Sequence, residues 1–75
     1  MNEELFRETM ARYLEDHGIW SEIIPIVMNT ADQTPGGLMK LAYYVLDQGK
    51  ELNQSKLVEK AMSIKKRTDS GNDAA

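Results

Sequence analysis

No cysteine occurs among the 75 residues, so neither a disulfide framework nor a thiolate metal site is open to this chain. Histidine is nearly absent as well, with His17 standing alone. Long hydrophobic runs are missing. The richest apolar stretch, Ile19 to Met28, is about half the length that a membrane span requires. A basic region ahead of an apolar run, the mark of a secretory signal, is missing too, because Glu3 and Glu4 occupy that place. Strand-like alternation and internal repeats do not occur. These absences predict a soluble, cytoplasmic protein with no membrane partner.

What is present is ordinary in amount and uneven in placement. Hydrophobic residues make up 41% and charged residues 28%, which suits a soluble fold with a solvated surface. The net charge of −3 conceals a division. Residues 1–34 carry seven acids against Arg7 and Arg12, a balance of −5. Residues 35–68 carry seven bases against Asp47, Glu51 and Glu59, a balance of +4. Asp69 and Asp73 supply the remaining −2. Two electrostatically different faces follow, either of which can meet a partner.

Periodicity and punctuation predict an all-α bundle of three to four short helices over residues 1–67, one domain, with a disordered tail over 68–75. The first helix spans about Glu3 to Asp16, with Asn2 as its N-cap and Gly18 as its stop. Phe6, Met10, Tyr13, Leu14 and His17 share one face of it, and Leu5 widens that face. In the second, Trp20, Ile23, Ile24, Val27, Met28 and Ala31 form a stripe. A start at Ser21 puts Pro25 at the fourth helical position, where an N–H is wanted, whereas a start near Ile24 does not. Both frames stay open. Thr34-Pro35 reads as N-cap and first residue of the third helix, with Leu38, Leu41, Ala42, Val45 and Leu46 inward and Gly49 at its end. Gly36 and Gly37 cost it roughly 1 kcal/mol each against alanine, which makes sense if another backbone or a partner comes close, and equally if a loose loop leads into the helix. The fourth helix starts after Asn53 or Ser55 and ends near Arg67, with Leu57, Val58, Ala61, Met62 and Ile64 inward.

The second helix asks for a partner. Ile26 lies opposite Ile24 and Met28, so this segment is apolar nearly all round, and such a helix is expected to be buried on every side. Three other short helices cover one or two sides of it. Size points the same way, because burial and chain entropy nearly cancel in domains of about 70 residues without disulfides or metals. The expected function is therefore protein–protein contact, as a small accessory protein, inhibitor or assembly factor working as a homodimer or on a larger target. The expected interface residues are Trp20, Ile23, Ile26, Val27, Met39, Tyr43 and Tyr44.

Chemistry finds little footing. His17 follows Glu15 and Asp16 at a helix end, and a C-cap is the plainer reading than a metal ligand. Glu4 with Glu8, and Glu15 with Asp16, lack any sign of the dry pocket that acid–base catalysis needs. Gly36-Gly37 lacks the phosphate-loop spacing. No catalytic residue, cofactor, metal or small-molecule substrate is expected. The alternative function is nucleic-acid binding through a helix-turn-helix-like unit. Its fourth helix would put Gln54, Ser55 and Lys56 near base edges and Lys60, Lys65, Lys66 and Arg67 on phosphates. The fit is loose: the connection is longer than the usual turn, and the acidic first half repels phosphate.

Overall fold

A computed structural model of the chain describes the backbone of residues 2–71 and the side chains of residues 2–66. The fold is all-α, with no strand among the described residues. Helices α1 (Glu3–Asp16), α2 (Ile24–Asp32), α3 (Gly37–Gln48) and α4 (Gln54–Gly71) follow one another, with a single 3-10 turn, Gly49–Glu51, before α4. Of the expected tail, residues 72–75 lie outside the described residues.

Local chemistry accounts for the helix ends. Asn2 Oδ1 accepts from the backbone N–H groups of Glu4 at 2.9 Å and Leu5 at 3.3 Å, satisfying two of the donors that open α1. At the other end Gly18 takes φ +83°, and its N–H donates to the Glu15 carbonyl while Ile19 donates to Leu14. This pair of bonds is a Schellman closure, and its characteristic apolar contact is supplied by Ile19 and Leu14, both buried. His17 is the C-cap, and its Nδ1 donates to the Tyr13 carbonyl at 2.9 Å. Asn53 opens α4 in the same way as Asn2 opens α1, its Oδ1 accepting from the N–H of Lys56 at 2.9 Å.

The frame of α2 is the later of the two that the sequence leaves open. Ile23 is the N-cap and Pro25 the second helical residue, where no intrahelical N–H bond is due. Ser21 and Glu22 lie in the preceding turn.

The start of α3 differs from expectation. Thr34 is not its N-cap. Residues Thr34 to Gly37 form a type II turn, with Pro35 second, Gly36 third at φ +74° and ψ +4°, and the Gly37 N–H donating to the Thr34 carbonyl at 2.8 Å. Helix α3 begins after this turn, and Gly36 is its N-cap. Gly37 explains the second glycine. A Cβ there would lie 1.9 Å from the carbonyl oxygen of Ala31 and 3.0 Å from Ile64. The close approach by another backbone is thus made by the end of α2.

Helix α2 occupies the centre, packing against each of the other three, while α3 and α4 also pack against each other. Its Ile24, Val27, Met28 and Ala31 meet Met10 and Leu14 of α1, Leu38, Leu41 and Val45 of α3, and Leu57, Ala61 and Ile64 of α4. Ile19 and Leu52, from the connecting segments, complete the core. Leu5, expected to widen the apolar face of α1, is 60% exposed, and Leu46 and Met62, expected inward, are not buried either. Leu46 is 63% exposed and Met62 60% exposed. Each lies one residue, about 100° of helix, past a core position (Val45 and Ala61), beyond the width that a neighbouring helix covers. Nor is α2 buried on every side, since Ile26 is 62% exposed.

Gly37→Ala must push α2 away from α3, and a loss of about 2–3 kcal/mol is expected in denaturant titration. Gly36→Ala, with open space around it but a left-handed backbone, should lose about 1 kcal/mol. Equal small losses at both positions would contradict the contact. Leu57→Ala is expected to cost about 2–5 kcal/mol and Leu46→Ala less than about 0.5 kcal/mol, although the sequence pattern ranks them alike.

Candidate protein-interaction surface

Apart from Leu5 and Trp20, the large apolar residues exposed among the described residues gather in two places. The first lies between α2 and α4. Ile23, Ile26 and Thr30 on one wall face Val58, Met62 and Lys65 on the other, around a groove of about 300 Å³ floored by Val27 and Ala61. The Thr30 hydroxyl donates to the Ile26 carbonyl at 2.8 Å, which leaves the walls apolar up to the Lys65 end. Ile26 and Met62, the two exposed apolar members, face solvent from opposite walls.

The second place is the outer face of α3. Met39, Ala42, Tyr43 and Leu46 recur at the spacing of one helix face. Met39, Tyr43 (68% exposed) and Leu46 are exposed, and Ala42 is half-buried at the edge of the core. Beside this stripe, Lys40, Tyr43, Tyr44, Asp47 and Lys60 line a shallow hollow. Lys60 Nζ stands 5.2 Å from the centre of the Tyr44 ring, a cation–π contact that ties α4 to α3.

The expected interface residues therefore do not form one patch. Ile23 and Ile26 belong to the groove, and Met39 and Tyr43 to the α3 stripe. Tyr44 is half-buried against the core. Val27 is buried in the core and lines the floor of the same groove. Trp20 is 64% exposed in the segment before α2. Met62 and Leu46 were assigned inward by the same spacing that identified the true core residues, so the sequence pattern hid two members of these surfaces. A clue lay in excess, since both helices carry more apolar residues than one contact face can hold.

The residues of the nucleic-acid alternative are spread over α4 with several already engaged. Gln54 Oε1 accepts from the Trp20 backbone N–H at 3.1 Å. Lys56 Nζ donates to Gln48 Oε1 at 3.3 Å, and Lys60 faces Tyr44. Ser55, Lys65 and Lys66 are exposed, and the side chain of Arg67 lies outside the described residues. Five residues separate α3 from α4, one more than the longest usual turn of a helix-turn-helix.

Elsewhere, Arg7 joins α1 to α2: its guanidinium pairs with Asp32 at 2.9 Å and donates to Asn29 Oδ1. His17 lies against Tyr13, with ring centres 4.2 Å apart. Among the described residues no three His, Asp or Glu side chains come together as a metal site would need, and no helix is long and apolar enough to cross a membrane. No protein-family model matches this chain, and neither a curated protein nor a solved structure matches it.

Proposed function

We propose that this chain is a small cytoplasmic protein-interaction module that acts through its exposed apolar helical surfaces, as a homodimer and on a larger protein target. The observation that carries this reading is the groove between α2 and α4, where Ile26 and Met62 stand exposed on facing walls above a well-packed core. Nothing in the packing of the core requires them to be apolar, and at about 60% exposure each forgoes about 1–2 kcal/mol of burial. A groove of this shape takes the apolar edge of another helix, read by anchors one turn apart. Such a module suits an accessory protein, an inhibitor or an assembly factor, a role inferred from size and surface rather than from chemistry. Nucleic-acid binding has weaker support, because Gln54, Lys56 and Lys60 are committed to contacts within the chain.

A photo-crosslinking residue placed at position 26 or 62 should trap a polypeptide in cells, whereas one at Glu8, on the polar face of α1, should trap none. No trapping at 26 or 62, together with a monomeric mass at high concentration, would sink the reading. Trp20, the sole tryptophan, offers a second readout. Its emission should be that of a solvated indole in the monomer, readily quenched by acrylamide. Duplex DNA is expected not to bind even at low salt, where phosphate contacts are strongest.

A further inference from the structure

The α3 stripe carries more information than its apolarity. Lys40 and Asp47 flank it on the same side, one near each end of the helix. Seven residues apart, they are about 10 Å apart along the axis, beyond reach of a direct ion pair with each other. Neither has an ion-pair or hydrogen-bond partner elsewhere in the described chain. Both are exposed. A basic residue at one end and an acidic residue at the other form a pattern that is complementary to itself when reversed.

We infer that the occupant of this face is a second copy of the chain, its α3 packed antiparallel across a two-fold axis close to Tyr43. The inference rests on the self-association part of the function proposed above and assigns it a surface. A two-fold axis perpendicular to two facing helices keeps each flank on its own side and reverses its direction. Lys40 of one protomer then meets Asp47 of its partner, and the same pair recurs on the other side of the axis. Met39 of each protomer meets Leu46 of the other with an offset of about one residue, and Tyr43 sits at the centre. Ala42, small and half-buried, lets the helices approach. A parallel pairing, with its two-fold axis along the helices, would carry the two charged flanks to opposite sides of the contact and leave Lys40 and Asp47 without each other, so only the antiparallel pairing uses the charges. Lys60 is the other charge in the hollow, and it is held over the Tyr44 ring. The contact covers about three helical turns, well below the roughly 800 Å² per partner of a standard interface, so the dimer is weak and depends on concentration. It also leaves the α2–α4 groove open for a different chain.

The test is a pair of charge reversals read by sedimentation or light scattering, from about 10 μM to about 1 mM. Lys40→Glu and Asp47→Lys should each weaken self-association roughly tenfold, by turning two attractive contacts per dimer into repulsive ones. Mixed in equal amounts, the two variants should associate with each other about as well as the unaltered chain, because every contact is then attractive again. The swapped double variant, Lys40→Asp with Asp47→Lys, should also recover self-association, and high salt should erase these differences. Circular dichroism should show the same helix content throughout. Three results would overturn the interface: an unaltered chain that is monomeric up to about 1 mM, single variants that associate as well as it does, or a mixture that fails to form the complex. Ile26→Glu separates this inference from the broader reading. Loss of the dimer on that change, with none from the charge reversals, would move self-association to the groove and leave the interaction function standing.

Discussion

The approach of the Ala31 carbonyl to the Cα of Gly37 sets the geometry on which the remaining packing depends. Helices normally stay apart by the length of their side chains, about 8–10 Å between axes. Here the end of α2 and the start of α3 touch backbone to backbone, and the type II turn of Pro35 and Gly36 makes the reversal that brings them there. With α2 drawn in this far, short helices suffice to close a core around it. Thr34 adds a bond from its hydroxyl to the Ile64 carbonyl at 3.4 Å, so α4 is tied to the same corner. The placement of Ile26 opposite Met62 follows from this corner, since it fixes how α2 lies against α4.

Much of the fold was legible because the signals at helix ends are short-range. Asn2 and Asn53 cap by bonding N–H groups within three residues, and Gly18 closes α1 through bonds to Leu14 and Glu15. Such features depend on adjacent residues alone. The start of α3 was misread because Thr34-Pro35 fits two local motifs, a helix cap and a type II turn. The contact with Ala31 that decides between them comes from another helix. Of the two glycines only Gly37 meets that contact, while Gly36 serves the turn through its positive φ, and their pairing in the sequence does not tell a close approach from a loose loop. Pro25 behaved similarly: its own constraint eliminated one frame only once the preceding turn was seen.

The surface was less legible than the core, for a geometric reason. Spacing identifies a helix face but not its width, and width depends on where the neighbours stop. Val27 was expected at an interface and Met62 in the core, and they lie on the floor and wall of a single groove. One helical step separates a floor residue from a wall residue, less than periodicity can resolve. Lys40 and Asp47 share one flank of α3 beside the stripe, a placement that follows from their seven-residue spacing whatever the burial of the stripe. The split between an acidic first half and a basic second half finds only one ion pair, Arg7 with Asp32, among the described side chains, and both residues belong to the acidic half.

That ion pair marks how α1 is held. Helix α1 packs chiefly on α2, through Met10, Leu14 and the Arg7 contacts, whereas α2, α3 and α4 each touch the other two. The three later helices thus form a closed triangle, and α1 is an outrigger fastened along one edge. An element attached along one edge can leave without dismantling the triangle, at the cost of exposing Ile24 and Met28 on the side it covered. Such an attachment favours two grades of opening, a detachment of α1 and a global unfolding, and amide protons in the middle of α1 are then expected to exchange before those around Leu41 and Leu57.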